Sequence, residues 1–246
     1  YNNKYQIENF FDYNYENVIL IPYRKRKKHL DYFLKKSIPL FDKYLNNYKV
    51  VVIEQNNDFK FNRGILLNIG YDIFKNNTKY IFTHDVDLNP FTSTIKNLYN
   101  KSVKKNSIMG IYTSYCDTLG GIIKMRTSTF KKINGFPNNF WGWGLEDIEL
   151  QNRAETFNLK ITKNIKSNDP NRYKYFKIFN DVNDRNKPDD YNIKLNFIRN
   201  EYNKNSFEKK KSYILKSGLN NLQYVINDKI KLHDNVIKYK VNFEYI

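Results

Sequence analysis

Both tryptophans of the chain lie in one short loop, and a cluster of acidic residues follows them directly. Trp141 and Trp143 each precede a glycine, which frees the backbone to present the two rings as a surface suited to stacking a sugar or a base. Glu146 and Asp147 then open a predicted helix, where carboxylates suit the positive end of the helix dipole. Singly, these features are typical of turns, packing and helix capping. Their occurrence in one run favours function, with a carboxylate placed to act as a general base.

A second acidic motif, Asp85-Val86-Asp87, follows the apolar run 80–83, which we interpret as a buried strand. Alternate residues of an extended chain point to the same side, so the two carboxylates can converge on one cation. A cation at this place would neutralise the charge that develops on a departing diphosphate. An Asp-x-Asp triplet is frequent by chance, and it is the strand end that makes a metal site the favoured interpretation.

Basic and aromatic residues are predicted at the same edge. Arg24 and Arg26 follow the first predicted strand, and Arg63 lies near the start of the second predicted helix. Arginine binds phosphate oxygens in a bidentate manner, and a helix start adds backbone donors. Phe61 or Tyr23 could face a nucleotide base. Solvated surface arginines are the alternative in so basic a chain.

Predicted strands and helices alternate along the first half of the chain. Apolar runs predict strands at 18–22, 48–53 and 80–83, with helices at 29–44 and 61–74 between them. This order predicts an α/β fold with a parallel sheet and crossover helices, in which ligands bind beyond the carboxyl ends of the strands. Further strands are predicted at 108–112, 121–125, 222–226 and 236–245, and further helices at 128–133, 146–157 and 206–216. The polar segment 164–192 is predicted to be a lid or binding loop without regular structure.

Length and composition set broad limits. A chain of 246 residues can form one large α/β domain or two small ones, and we expect a single domain over 1–246. The single cysteine, Cys116, excludes an intrachain disulfide and mildly favours a reducing, cytoplasm-like compartment. No apolar run is long enough to span a bilayer, and the first residues lack a signal-peptide pattern. The chain does not begin with Met, so an anchor could have been trimmed and the compartment stays undetermined.

The formal net charge of +17 suits a polyanionic partner such as nucleic acid, an acidic glycan or a phosphate-bearing donor. Lysines are spread over nearly every segment instead of forming one patch, and no nucleic-acid-binding motif is present. Nucleic acid is therefore the disfavoured partner.

Several motifs, in the same order and spacing, resemble the β1,4-galactosyltransferase family, inverting glycosyltransferases of the GT-A fold. The resemblance covers most of the chain, and its most specific part is the tryptophan run. The motifs are Ile21-Pro-Tyr-Arg-Lys-Arg26, Phe61-Asn-Arg-Gly-Ile-Leu-Leu-Asn68, His84-Asp-Val-Asp-Leu88, Gly120-Gly121, Asn134-Gly-Phe-Pro-Asn-Asn-Phe-Trp-Gly-Trp-Gly144 with Glu146-Asp147, and Gly218-Leu-Asn220. His84 is more similar to the xylose-acceptor branch than to the N-acetylglucosamine branch.

The resemblance implies a Rossmann-like, mostly parallel sheet flanked by helices, with a long lid or acceptor loop. Its nucleotide-sugar half would cover about 15–125, and its acceptor and lid half about 126–246. It implies metal-dependent, inverting transfer of galactose or GalNAc from a UDP-sugar to a hydroxyl of a glycan or glycoconjugate, with Mn²⁺ or Mg²⁺ as cofactor. The alternative is a catalytically weak or inactive carbohydrate-binding relative of the same fold.

The resemblance also implies roles for individual residues. Asp147 matches the catalytic base, and Asp87 the metal-binding carboxylate. Trp143 matches the ring on a mobile loop that covers the donor and touches the acceptor, and Gly121 and Glu146 match donor-sugar contacts. The full set of implied donor-binding residues is Pro22, Tyr23, Arg24, Arg26, Phe61, Arg63, Asp85, Val86, Gly121, Trp143 and Glu146.

The chain departs from the family at three places. The family's additional metal-binding histidine is absent, and Asn180 aligns there, an oxygen ligand that suits manganese or magnesium. Leu145 and Ile148 replace a glycine and an acceptor-gripping carboxylate, so we expect a different acceptor. Thr118 stands where family members often carry a tyrosine that crowds the donor sugar, which leaves room for an N-acetyl group and keeps UDP-GalNAc open beside UDP-galactose.

Overall fold

An eight-stranded sheet forms the centre of the fold in the computed structural model, which describes residues 15–114, 118–179 and 190–244. The strands are β1 (Tyr15–Tyr23), β2 (Tyr48–Gln55), β3 (Thr78–Thr83), β4 (Leu88–Pro90), β5 (Ser107–Thr113), β6 (Ile122–Arg126), β7 (Lys160–Lys166), β8 (Phe176–Ile178), β9 (Val225–His233) and β10 (Val236–Asn242). The sheet order is β7-β5-β6-β3-β1-β2-β10-β9, and β4 pairs with β8 in a separate small sheet. The central strands β3, β1, β2 and β10 are parallel, whereas β6 is antiparallel to both its neighbours.

Helices cover both faces of this sheet. They are α1 (Lys27–Lys36), α2 (Ile38–Tyr44), α3 (Arg63–Phe74), α4 (Thr92–Thr94), α5 (Thr127–Lys132), α6 (Glu146–Thr156), α7 (Tyr191–Asn203) and α8 (Phe207–Lys216). The short α4 continues into a π-helical turn, Ile95–Tyr99. Within the described residues, no helix combines the length and apolar character needed to cross a membrane.

Strand β1 shows why the sheet needs two covering layers. Alternate side chains enter different cores, with Ile19 and Ile21 in one and Val18 and Leu20 in the other, all fully buried. Continuous apolar strands of this kind are typical of parallel sheets buried on both faces. The predicted α/β class, with a large, mostly parallel sheet flanked by helices, is therefore confirmed.

Two local predictions were wrong. The predicted helix 29–44 is two helices, α1 and α2, because Pro39 lies in the first turn of α2 and has no backbone N–H to continue a helical ladder. The segment 164–192 contains the end of β7, the whole of β8 and the start of α7, and it was predicted to lack regular structure. Strand β7 is mostly polar and largely exposed, with Ile161 and Ile165 as its only apolar residues, so it shows no clear apolar pattern.

The last third of the chain adds a separate apolar cluster beside the tryptophan loop. We call it the α6–α8 cluster, and its buried members are Phe140, Leu145, Ile198, Tyr202 and Ile214. Its packing joins α7 and α8 to the segment that leads into α6. Leu145, directly before α6, and Ile148, in its first turn, thus tie the start of α6 to α7 and α8.

Candidate active site

Parallel register brings the polar strand ends together at one edge of the sheet. Tyr23 at the end of β1 lies beside Glu54 at the end of β2, and the backbone N–H of His84, after β3, donates to Leu20 O on β1 at 2.9 Å. The residues that follow these three strands therefore surround one region, as the alternation of strands and helices predicted.

Arg63 links the Asp-Val-Asp motif to the start of α6. Its Nε and Nη2 atoms lie 3.0 and 2.9 Å from Asp85 Oδ1, and its Nη1 atom lies 3.7 Å from Glu146 Oε1. The Arg63 side chain is 12% exposed. Among the described residues its Nη1 atom makes no hydrogen bond, although it is buried. A buried guanidinium nitrogen without a hydrogen-bond acceptor suits an anionic ligand at this place.

Asn62 explains how the chain places Arg63 at the first turn of α3. Its side chain accepts a hydrogen bond from Ile65 N at 2.9 Å, which caps the helix, and its Nδ2 atom donates to Asn138 O at 2.7 Å. Gln55 Oε1 accepts from Asn62 N at 2.9 Å, which ties the cap to the end of β2. A capped helix start holds Arg63 in one position and directs backbone N–H groups toward the same edge.

The other basic residues border this region. Arg24 donates to Phe59 O and lies 5.8 Å from the centre of the Phe61 ring, and Arg26 Nη1 lies 3.7 Å from Asp87 Oδ2. The Tyr23 ring is buried in the core, whereas Phe61 is partly exposed. Pro22 is the second-last residue of β1 and is paired with Ile53 in the sheet.

Asp87 lies in a tight turn that follows β3. The Asp85 carbonyl accepts from Leu88 N at 3.1 Å, which closes the turn, and Phe179 N donates to Asp87 O at 3.1 Å. The Val86 side chain is buried in the core, so only its main chain can reach a ligand. Asn180, the predicted second metal ligand, lies outside the described residues. Within those residues, no group of three or more His, Cys, Asp or Glu side chains is arranged to hold a metal ion.

His84 is fully buried next to this turn, and sequence reasoning assigned it no role in the site. Its Nδ1 atom lies 2.9 Å from Asp85 O and its Nε2 atom lies 2.8 Å from the Tyr99 hydroxyl. Burial lowers the pKa of His84 to about 4, so the ring is neutral at physiological pH. Because both ring nitrogens already have partners, His84 does not take the place of the histidine ligand that the chain lacks.

The start of α6 places the Asp147 carboxylate against the glycine pair that precedes β6. A Cβ atom at Gly120 would lie 2.7 Å from Asp147 Oδ2, so only glycine allows this approach. Gly121 has a φ of +83° and its carbonyl lies 3.4 Å from Arg63 Nη2. Asp147, Glu146, Arg63 and Gly121 are therefore neighbours.

Burial, and after it the negative charge of Asp147, raise the pKa of Glu146 to about 7, with Arg63 opposing the rise. Glu146 is 8% exposed, whereas Asp147 is partly exposed. Two adjacent carboxylates in such different surroundings are suited to different roles. The buried one has its pKa near neutrality, and the more exposed one can reach a substrate.

The tryptophan loop presents one ring and buries the other. Gly142 and Gly144 have φ values of +93° and +91°, which favour glycine and turn the chain on both sides of Trp143. Trp143 is 40% exposed and parallel to the ring of Tyr191, with ring centres 6.5 Å apart. Trp141 is buried and packs with Phe59 and Phe243. Only Trp143 is thus available to a ligand.

A buried polar network holds the base of this loop, and sequence reasoning missed it. The Asn68 side chain donates to Phe136 O and Asn138 Oδ1, each at 2.8 Å. Arg153 of α6 is fully buried and donates to Gly135 O at 3.1 Å and to the carbonyls of residues 134 and 217. In a chain so rich in asparagine, composition gives no signal that these particular residues are buried.

The departures from the family pattern have structural counterparts. Leu145 has a φ of +77°, a backbone conformation that favours the glycine it replaces, and its side chain is buried in the α6–α8 cluster. Ile148 packs against the same cluster. Thr118 is buried, and its hydroxyl has no hydrogen-bond partner among the described residues.

The large, mostly parallel sheet flanked by helices places the chain in the GT-A fold class. Two family descriptions match adjacent parts of the chain. The N-terminal region of glycosyl transferase group 7 matches residues 11–101, and the N-terminal domain of galactosyltransferase matches residues 101–178. The chain belongs to this family, the β1,4-galactosyltransferases of glycosyltransferase family 7.

Individual relatives agree with this assignment. Beta-1,4-galactosyltransferase 4 of Cricetulus griseus is 38% identical over 154 residues, which are 59% of this chain and 44% of that protein. Human beta-1,4-galactosyltransferase 6 is 32% identical over 215 residues, which are 84% of this chain and 51% of that protein. The chain thus spans about half the length of the curated relatives it matches.

A solved structure has the same fold. A Drosophila beta-1,4-galactosyltransferase 7 mutant in complex with manganese, UDP-Gal and xylobiose superposes with a TM-score of 0.73 at 24% identity, covering 94% of each chain. The catalytic domain of the same Drosophila enzyme with xylobiose gives a TM-score of 0.74.

Proposed function

We propose that the chain is a metal-dependent, inverting hexosyltransferase that moves galactose from UDP-galactose to a hydroxyl of a glycan or glycoconjugate. The observation that carries the proposal is the contact of the α6 start with the Gly120-Gly121 pair, beside Arg63 and near the exposed ring of Trp143. The family membership and the relatives' names support this activity. We also propose that the chain forms one GT-A unit, whose nucleotide-sugar half ends near residue 125.

In this proposal the donor lies along the carboxyl ends of β1–β3. Arg63 supplies a buried guanidinium nitrogen to a phosphate oxygen, and Arg24 and Arg26 add positive charge. Phe61 is better placed than Tyr23 to face the uracil ring, because Tyr23 is buried. Pro22, Asp85, the main chain of Val86 and Gly121 complete the donor site.

Asp147 acts as the general base. It removes the proton from an acceptor hydroxyl while that oxygen attacks the anomeric carbon from the face opposite the diphosphate, and the bond from this carbon to the UDP oxygen breaks. Glu146 contacts the donor sugar, and Trp143 covers it and contacts the acceptor. The configuration at the anomeric carbon is inverted because attack and departure take place on opposite faces.

The residues near Asp87 fit a divalent cation. Mg²⁺ and Mn²⁺ at phosphate sites are often held by one or two carboxylates together with the substrate phosphates, so a cluster of three acidic side chains is not required. Asp87 supplies one hard oxygen ligand, and Asn180 follows Phe179, whose backbone contacts Asp87. When bound, the cation neutralises charge on the leaving diphosphate. The manganese and UDP-Gal in the Drosophila complex support this assignment.

Two residues, Thr118 and Ile148, support more specific proposals for the donor sugar and the acceptor. Thr118 leaves more space than a tyrosine, and its buried hydroxyl suits the carbonyl of an N-acetyl group, so UDP-GalNAc is a second candidate donor. Ile148 offers no charge to an acceptor. The xylobiose bound to the Drosophila enzyme supports a saccharide acceptor, and we propose one with a less polar contact at Ile148.

A donor screen tests the proposal. Release of UDP would be measured with Mn²⁺ across UDP-Gal, UDP-GalNAc, UDP-Glc and UDP-GlcNAc, with EDTA as the metal control. We expect turnover with UDP-Gal or UDP-GalNAc that EDTA abolishes. Binding of UDP without hydrolysis or transfer of any of the four sugars would contradict the proposal and indicate an inactive carbohydrate-binding relative.

A further inference from the structure

His84 supports the turn that carries Asp87. The Asp85 carbonyl accepts two hydrogen bonds, one from Leu88 N at 3.1 Å and one from His84 Nδ1 at 2.9 Å. The first closes the turn, and the second attaches the turn to a fully buried ring. The direction of the Asp87 side chain therefore depends on a hydrogen bond made from inside the core.

The tautomer of His84 follows from its two partners. A carbonyl oxygen can only accept, so Nδ1 must carry the ring hydrogen and donate it to Asp85 O. A neutral imidazole has one N–H, so Nε2 must accept, and its partner at 2.8 Å is the hydroxyl of Tyr99. The other tautomer would place a lone pair against the lone pairs of the Asp85 carbonyl. The Asp85 carbonyl thus selects this tautomer, and the Tyr99 hydroxyl donates the second hydrogen bond, which holds the ring in place.

Tyr99 is itself held in place by the core. It ends the π-helical turn Ile95–Tyr99, and its ring stacks on Phe82 with ring centres 5.4 Å apart. Its carbonyl accepts from the buried Lys124 Nζ at 2.7 Å, and Lys124 lies on β6 opposite Phe82. Turns of π-helix are frequent at functional sites. Here the turn directs one hydroxyl at one ring nitrogen.

We propose that the Tyr99 hydroxyl holds the His84 ring in place and that His84 thereby orients the turn bearing Asp87, which makes both of them positioning residues for the divalent cation. The inference rests on the proposed role of Asp87 as the metal-binding carboxylate. Neither residue touches the cation or the substrate in this proposal. They act through the Asp85 carbonyl.

The test is a titration of the whole chain with Mn²⁺ in the presence of UDP, with free Mn²⁺ measured by electron paramagnetic resonance. Tyr99→Phe keeps the ring and removes the hydroxyl, and we expect about tenfold weaker Mn²⁺ binding, the loss typical of groups that orient metal ligands. The matched control is Tyr48→Phe, which removes a hydroxyl bonded to Asp42 at 2.6 Å in the same core. The control should stay within about twofold of the unmodified chain. Unchanged Mn²⁺ affinity in a folded Tyr99→Phe variant would overturn the proposal.

A second set of variants separates positioning from packing. His84→Asn keeps an amide that can donate to Asp85 O but has no second ring nitrogen, so adding Tyr99→Phe to it should cause no further loss of Mn²⁺ affinity. Equal losses in both backgrounds would overturn the proposal. His84→Asn should also bind Mn²⁺ more tightly than His84→Leu, because the leucine side chain cannot donate a hydrogen bond. If Tyr99→Phe fails to fold, this comparison of the two His84 variants tests the proposal. Equal binding by the two His84 variants would contradict the proposed role.

Two further measurements need no catalysis. Nitrogen-15 NMR of the metal-free chain should show His84 protonated at Nδ1, and a Nε2-protonated ring in the unmodified chain would overturn the inference. Asp87→Asn in the same titration tests the underlying assignment. If Asp87→Asn binds Mn²⁺ normally, the proposed metal site fails and the inference with it. If Asp87→Asn loses Mn²⁺ and Tyr99→Phe does not, only the positioning role fails.

Discussion

The proposed donor side and the proposed acceptor side of the site are built in different ways. On the donor side, functional residues follow strands whose apolar residues are fully buried, and a capped helix fixes Arg63. On the acceptor side, Trp143 and the start of α6 depend on left-handed backbone, a buried polar network and the α6–α8 cluster. The first arrangement follows from sheet topology, and the second depends on individual residues. Substitutions that change substrate specificity are therefore expected on the second side.

The largest effect on ligand binding is expected from Arg63→Met on the donor side. It removes the cation between Asp85 and Glu146, so we expect UDP affinity to fall about 100-fold, or about 2.7 kcal/mol. Calorimetric titration with UDP measures it. The control is Arg126→Met, which removes a hydrogen bond to Val103 O at 2.9 Å outside the site and should leave UDP affinity unchanged. Equal losses in both variants would show that Arg63 has no specific donor contact.

On the acceptor side, Leu145 combines a left-handed backbone conformation with a buried side chain. Substitutions at this position compare the stability effects of the two. Leu145→Gly should lower the free energy of unfolding by about 2 kcal/mol, because the loss of a buried leucine outweighs the relief of backbone strain. Leu145→Ala loses similar contacts and keeps the strain, so it should be about 1 kcal/mol less stable than Leu145→Gly. Denaturant unfolding measures both. A more stable alanine variant would show that no strain is stored at this position.

Glu146 lies where the two sides meet, and it predicts a pH dependence. Its pKa is raised from 4.5 to about 7, so the folded chain binds more protons than the unfolded chain between those values, and the free energy of unfolding falls as pH rises through that window. Glu146→Gln should remove this fall and be about 1 to 3 kcal/mol more stable than the unmodified chain at pH 8. Thermal unfolding from pH 4 to 8 checks it, with Glu155→Gln on the exposed part of α6 as control. A parallel pH profile in Glu146→Gln would contradict the raised pKa.

The smallest of these effects is expected from Trp143→Ala on the tryptophan loop. Loss of the exposed ring should raise the KM for a saccharide acceptor about tenfold, because one stacking contact is lost. Steady-state transfer at saturating donor measures it. Tyr173→Ala removes another exposed aromatic ring and should leave that KM unchanged. A Trp143→Ala variant with normal acceptor KM would remove the loop from the acceptor site.

The sequence predicted the donor side better than the acceptor side for physical reasons. The strands β1–β3 and the convergence of Arg63 with Asp85 follow from apolar periodicity and parallel topology. Helix α7 was not predicted from the sequence. Its apolar residues pack on a neighbouring helix, in a cluster that joins segments distant from one another in the sequence. Arg153 is buried by contacts with residues more than fifteen positions away. The tautomer of His84 depends on which atoms its two ring nitrogens contact. Apolar periodicity reports neither.

The central claim is that Asp147 is the base of an inverting transfer, and one pair of variants tests it most directly. Asp147→Asn should lower kcat about 1000-fold while UDP affinity stays unchanged, because the amide cannot accept the acceptor proton. Asp228→Asn, at the exposed edge strand β9, should leave both quantities unchanged. The decisive quantity is kcat for transfer at saturating UDP-sugar and Mn²⁺, measured beside UDP affinity. A kcat within tenfold of the unmodified chain would contradict the account.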